Sequence, residues 1–463
     1  MSYGIDVSST TTVALIFKLG QQFIAITPGS LILTICLGLL LVVLPRKYAL
    51  APLFISGCYM TLGQVLLIGS FHFTIFRIIL LFAWVRIILR NEIIKIKFNS
   101  VDKALIVWLS IATFLNLILM RWSSGALVAR LGFAYNVLGI YFFVRAVLLD
   151  FNDIIQAVKI LGIIIVPLAV LFAVEMFTGK NVFSVFGGVP EYSMIREGRR
   201  RCQGPFQHPI MAGTFGATSM PLFWGLWKYG GRNRLKAGAA FLSATVIVIA
   251  SSSSGPLLAY IAGVAGLFFW KYRSKMKLVR RSTVIFLIAA HIIMKAPVWF
   301  LLARISDIVG GGGWYRAALI DAAVRYFNEW WFVGTTYTAH WMPTVLEIDP
   351  NMADITNQFI SEGVNGGLLS MCLFIWLIVV CFKIIGLVSR AEDAPKQKQF
   401  MIWSVGCVLF SHVITFFSVT YFDQMIVFWY LLIAMIAALQ PKTRRMPFRS
   451  RNFALAASNE VSR

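Results

Sequence analysis

Acidic residues are scarce in this 463-residue chain: 19 Asp and Glu stand against 42 Lys and Arg, and charged side chains of both signs make up only 13%. A soluble domain carries roughly 25% charge, so an ordinary water-facing surface cannot be built from this composition. Six cysteines (Cys36, Cys58, Cys202, Cys372, Cys381 and Cys407) form no Cys-x-x-Cys pair, and five of them fall in apolar runs, so they read as small core hydrophobes. There is no Gly-rich phosphate loop, no HExxH zinc pattern and no serine-hydrolase elbow. Internal repeats are missing, as is the ~10-residue alternation of an outer-membrane barrel. Met1 to Thr12 lacks a basic n-region, so a cleavable signal peptide is not expected.

What fills the chain instead is apolar: 59% hydrophobic and 14% aromatic residues, with a mean hydropathy of +0.79. The runs recur near the ~20 residues a helix needs to cross a bilayer, and in lipid each segment must satisfy its own backbone. The expectation is an all-α, polytopic helical membrane protein forming a single integral membrane domain of about 12–13 transmembrane helices. The spans fall at 28–45, 49–69, 71–89, 103–120, 125–148, 154–177, 209–227, 236–253, 255–270, 283–301, 357–388, 400–420 and 424–440. The segment 357–388 is long enough to start outside the hydrocarbon or to tilt.

The net charge of +23 does not indicate nucleic acid, because most basic residues sit in short gaps where they set topology and meet anionic lipid. The tail 441–463, with Lys442, Arg444, Arg445, Arg449 and Arg451, is placed in the cytoplasm. The other basic gaps (46–47, 90–103, 149–153, 228–236, 271–281 and 390–399) then fall on the same side. Two long loops, 178–209 and 302–356, fall outside. This count also leaves the N-terminus outside, where 11–27 reads alternatively as an amphipathic interfacial helix.

The first outer loop carries Arg199, Arg200 and Arg201 on the side where positive charge is not an orientation signal. Guanidinium forks make bidentate, charge-assisted bonds to phosphate oxygens; the alternative is a solvated basic loop against headgroups. Gly204-Pro205-Phe206 and His208-Pro209 suit a shaped return into the next span, with His208 also able to titrate. Glu175, at the outer end of its span, is a partner for one of the arginines. Arg77, Arg86, Arg130 and Arg145 either snorkel or line a polar cleft. Ser251 to Pro256 makes either a tight helical hairpin or a set of hydroxyl donors.

In the second outer loop, Gly310 to Gly313 leads into a helix over 314–328 that lies on the membrane, carrying Arg316 and an Asp321–Arg325 pair at i, i+4. Trp330, Trp331 and Trp341 suit a headgroup belt. His340, Asp349, Asp354 and Glu362 are candidate general bases.

The run Arg201-Cys202-Gln203-Gly204-Pro205-Phe206-Gln207-His208-Pro209, with Gly213, resembles a segment of the O-antigen ligase and O-antigen polymerase superfamily. In the same order come Glu175 with Thr178-Gly179, Ser254-Gly255, Arg316 with Gly334, and Asn357 followed by Glu362-Gly363 and Gly366-Gly367. The resemblance implies a glycosyltransferase of the bacterial inner membrane, active on the periplasmic face. It would move glycan from undecaprenyl pyrophosphate to a glycan or lipid acceptor, with no cofactor or metal. By that resemblance Arg201 and Arg316 are the two motif arginines. Arg199, Arg200, Glu175, His208, Arg325 and Asn357 would line the substrate. Family ligases place His-Asn where this chain has Thr356-Asn357, and threonine is a poor base. Asp354 or His340 would then take the proton, and a polysaccharide polymerase is preferred over a ligase. Membrane lipids are expected partners, and a chain-length regulator is left open as another. The rival classes are a flippase for lipid-linked glycans and a non-catalytic assembly partner.

Overall fold

The computed structural model describes residues 24–68, 71–231, 234–309, 311–343, 349–390 and 394–440. The basic tail 441–463 and most of the 11–27 segment lie outside the described residues. About 75% of the structure is helix.

The chain opens with a short strand β1 (Ile24–Ala25) and helix α1 (Pro28–Val43), whose N-terminus is capped by Thr27. Helix α2 (Ala51–Tyr59) gives way to strands β2 (Gln64–Ile68) and β3 (Phe71–Thr74), and α3 (Ile75–Leu89) follows. The expected span at 49–69 is therefore half helix and half strand. Gly63 lets the backbone lie against Gly188 of the first outer loop. The amide of buried Gln64 donates to Thr61 Oγ1 at 2.6 Å and Ser30 Oγ at 3.1 Å. β1 and β2 pair in parallel, β2 and β3 antiparallel.

Three long helices come next: α4 (Ser100–Leu119), opened by an Asn99–Asp102 capping box, α5 (Ser124–Val147) and α6 (Phe151–Thr178), which ends on Gly179. The first outer loop contains a two-stranded hairpin, β4 (Met194–Arg196) and β5 (Arg199–Arg201). It leads to α7 (Pro209–Tyr229), α8 (Arg234–Ala250) and α9 (Ser254–Phe268).

Helix α7 is the centre of the molecule, buried without a break from Met211 to Phe223. Small residues make this burial feasible, as is usual for helices packed in lipid. A methyl group on Gly216 would lie 2.7 Å from the Ala244 carbonyl oxygen, and one on Gly213 would collide with Ser251 Oγ.

The expected span 283–301 is shifted towards the N-terminus. Helix α10 (Met276–Ile293) has no buried residue, packs chiefly against the segments on either side of it, and stops before a 100° bend. Helices α11 (Leu301–Val309), α12 (Gly313–Arg325) and α13 (Phe327–Trp330) fall within the long segment 302–356 or at its edge. The chain finishes with α14 (Gln358–Val388), α15 (Lys396–Phe416) and α16 (Gln424–Leu439).

Among the described residues five helices (α4, α5, α6, α14 and α15) are long and apolar enough to cross a membrane, or six if the bent pair counts as one. Several other expected spans are shorter helices, such as the 16 residues of α1 and the nine of α2.

The long expected span 357–388 is broken. Gly366 (φ −164°) and Gly367 (φ 71°) leave the helical region. Residues 331–335 occupy the break, where Thr335 N–H donates to the Val364 carbonyl at 2.9 Å and Leu368 N–H donates to the Trp331 carbonyl at 2.7 Å. Asn116 donates to the Asn365 carbonyl at 2.8 Å. Three backbone groups released by the break are thus taken up by other partners, as a helix in lipid would require.

Candidate functional site

The three consecutive arginines are sorted by strand geometry. Glu197 (φ 52°) and Gly198 (φ 72°) both have positive φ, the requirement of a type I′ two-residue hairpin turn. The register pairs Arg196 with Arg199, Ile195 with Arg200 and Met194 with Arg201. Side chains alternate along a strand, so Arg196, Arg199 and Arg201 share one face and Arg200 takes the other. Arg200 was expected to bind substrate; instead it donates to the Met176 and Phe177 carbonyls at 3.1 and 2.7 Å, closing the C-terminus of α6. Arg199 stays exposed on the hairpin.

Glu175 was expected to pair with an arginine. It is buried, and its carboxylate accepts from Gln203 N–H at 3.1 Å, Gly204 N–H at 2.9 Å and Ser193 Oγ at 3.0 Å. Its role is to fold the loop that presents Arg201.

Arg201 is only 6% exposed. Nη2 donates to Ser253 Oγ at 2.8 Å, Nη1 reaches only the Met194 sulfur at 3.8 Å, and Nε has no acceptor. Arg316, on the first turn of α12, comes to the same place: a methyl group on Gly255 would lie 3.7 Å from its Nη2 and 2.8 Å from Ser418 Oγ. Burial lowers the pKa of both guanidiniums. Repulsion from Arg196 lowers both further, Arg201 adds to it at Arg316, and Glu197 partly offsets it at Arg201. Among the described residues no carboxylate forms a salt bridge with Arg201 or Arg316.

Two other arginines show what a structural role looks like in this fold. Arg86 makes a two-pronged pair with Glu92 at 3.0 Å and donates to the Leu41 and Leu44 carbonyls. Arg145 pairs with Asp102 at 3.1 Å, and Tyr141 donates to the same carboxylate. Both are buried and neutralised rather than snorkelling. Buried Arg201 and half-buried Arg316 have no such carboxylate among the described residues, a lack that buried Arg130, donating to Asn116 Oδ1 at 2.6 Å, shares elsewhere in the fold; a bound anion would offset the cost of an unpaired buried cation.

The remaining candidates are placed as follows. His208 caps α7, its Nδ1 accepting from Ile210 N–H at 3.1 Å. Burial, then Arg201 and Arg196, pushes its pKa down to about 4, so at neutral pH it is an uncharged cap. Asn357 caps α14 through Phe359 and Ile360 N–H. Arg325 pairs with Asp321 at 3.1 Å. Nine positions from Arg316 on one helix, Arg325 lies on the opposite face at 3.6 residues per turn. His340 Nε2 is 3.0 Å from Glu329 and its ring stacks on Tyr337; among the described residues no contact joins it to the arginines. Asp354 is drawn to α12, its backbone carbonyl accepting from the Tyr315 hydroxyl at 3.0 Å.

Sequence reasoning missed the turn between α15 and α16. Ser418 lies beside Gly255, next to Arg316. Thr420 Oγ1 donates to the Ile355 carbonyl at 2.5 Å, Tyr421 N–H to Gln358 at 2.8 Å, and Gln424 to the Pro205 carbonyl at 3.0 Å. Asp423 Oδ2 accepts from Gln207 N–H at 2.9 Å. The turn therefore ties the segment 178–209 to the end of the segment 302–356. Three buried polar atoms without partners lie in it or beside it: Asp423 Oδ1, Gln424 Oε1 and Thr356 Oγ1, the last next to Ile355. A solitary acid between two apolar runs was the available sequence signal.

No family model and no curated protein matches this chain. The likeness to the O-antigen ligase and polymerase superfamily therefore rests on the residue pattern alone.

Proposed function

We propose that the chain is a multi-pass glycosyltransferase of a bacterial inner membrane. It would build a secreted, capsular or O-antigen polysaccharide by moving glycan from undecaprenyl pyrophosphate to the end of another lipid-linked chain. The observation that carries the reading is the meeting of two guanidiniums, that of buried Arg201 and that of half-buried Arg316, with no carboxylate salt-bridged to either among the described residues. A pyrophosphate would satisfy both, and donors held in place before the reaction stabilise the charge that grows on the leaving group. The loops that bring the arginines together are those expected on the periplasmic side.

The test is elongation of a lipid-linked glycan by the purified protein. Arg201→Ala and Arg316→Ala variants, expressed normally, should each lose it; full-length polymer from either would refute the assignment. A flippase is the second reading, and the broken α14 favours it, since discontinuous helices mark many transporters. Lipid translocation without elongation would decide for transport.

A further inference from the structure

Asp423 combines an unusual backbone conformation with a carboxylate oxygen that has no partner. It holds a non-glycine φ of 57° with ψ −145°, a strained conformation that persists only where the surroundings impose it. Those surroundings are the crosslinks of its own turn: Thr420 to Ile355, Tyr421 to Gln358, and Gln424 to Pro205 and Met60. Asp423 lies deep in the molecule yet keeps partial access to solvent. One carboxylate oxygen is committed to Gln207 N–H at 2.9 Å, while Oδ1 is buried with no hydrogen-bond partner. The strain, the fixed oxygen and the free oxygen together describe a carboxylate held for an incoming donor.

Three of the four groups expected to serve as base have their side chains engaged. His340 is held by Glu329 and Tyr337, Asp349 accepts from Asn351 N–H, and Glu362 accepts from Gln358. We propose that Asp423 is the general base of the transfer, its free Oδ1 receiving the proton of the acceptor sugar's hydroxyl; this rests on the glycosyl-transfer reading above. The hydroxyl proton passes to Oδ1 as the hydroxyl oxygen forms its bond to the donor's anomeric carbon. The bond from that carbon to the pyrophosphate oxygen breaks, and its electron pair leaves with undecaprenyl pyrophosphate, whose charge Arg201 and Arg316 hold.

The chemistry suits the group. Burial lifts the pKa of Asp423 to about 7, against the pull of the Gln207 and Gln424 amides, which makes it a far stronger base than an ordinary carboxylate. The titratable groups around it are His208 beside Gln207, Tyr421 with His412 behind the turn, Glu362 beyond Gln358, and Arg316 beyond Ser418. His208 is already neutral well below pH 7, so it adds no step near neutrality.

The experiment compares wild-type and Asp423→Asn protein, full length in lipid nanodiscs, for elongation of a lipid-linked glycan and for protection from thermal unfolding by undecaprenyl pyrophosphate. Removing a general base should slow elongation by about 100-fold or more while leaving that protection within about twofold. The wild-type rate should climb with pH through about 7, and the residual rate of the variant should lack that climb. Asp423→Glu should recover part of the rate. A variant that keeps more than about a tenth of the wild-type rate with the same pH profile overturns the role of Asp423 and leaves the glycosyl-transfer reading standing. Loss of both protection and rate, unrelieved by Asp423→Glu, overturns it in favour of a folding role. Absence of elongation by wild type overturns the glycosyl-transfer reading and this assignment together.

Discussion

Replacing Arg201 with methionine is expected to stabilise the empty protein while abolishing its function. The side chain is 6% exposed and has one oxygen partner, Ser253 Oγ. Removing the guanidinium gives up that charge-assisted bond, worth about 1.5–3 kcal/mol. It strands nothing, because Ser253 still donates to the Ser251 carbonyl at 2.9 Å. Against this, an uncompensated buried charge costs several kcal/mol and repels Arg196 and Arg316, and a methionine of similar length fills the space. The balance should lie between zero and about 3 kcal/mol in favour of the variant, by analogy with buried charges replaced by apolar residues. Arg86→Met is the control. It leaves Glu92 buried without its partner and frees two carbonyls, so it should cost about 3–5 kcal/mol. Thermal unfolding in detergent, followed by tryptophan fluorescence, reads both signs. Adding undecaprenyl pyrophosphate at a hundred times its dissociation constant should stabilise wild type by about 2.7 kcal/mol and Arg201→Met by nothing. An Arg201→Met protein destabilised by more than about 2 kcal/mol without ligand would refute the reasoning, since Arg201 would then be structural like Arg86.

Three further outcomes separate positioning from substrate contact. Arg200→Ala removes two bonds to the end of α6 and should cost about 1 kcal/mol in unfolding free energy while leaving the elongation rate unchanged. Glu175→Gln can accept only one of the two amides now held, so it should lose about 2–4 kcal/mol and expose 178–209 to protease. Gly367→Ala must adopt φ 71° and set its methyl group against the Phe332 carbonyl oxygen, whereas Gly386→Ala meets nothing within 4 Å. Size-exclusion chromatography should show the first losing folded protein and the second matching wild type.

The helical architecture was legible because apolar runs are a local signal, while Arg201 was singled out by charge in a gap expected to lie outside. The distinct role of Arg200 was not, because three adjacent arginines look equivalent until the Glu197-Gly198 turn fixes the register. Val65-Leu66-Leu67-Ile68 is as apolar as any helix, and hydropathy carries no information about whether such a run pairs as a strand, as it does with β3. Asp423 was invisible for a different reason. Its partner Gln207 is 216 positions away, and a lone acid shows its worth only when the oxygen it leaves free is known.

The plugged break in α14 links two parts that the chain order separates. The segment that fills the break follows directly from α12 and α13, so Arg316 rides on the same stretch that wedges the helix apart. Withdrawing the wedge would strip partners from the Val364 carbonyl and the Leu368 amide, groups that lipid cannot satisfy. Arg316 and the bend of α14 are therefore joined by one continuous stretch of chain, which meets α14 through two backbone hydrogen bonds.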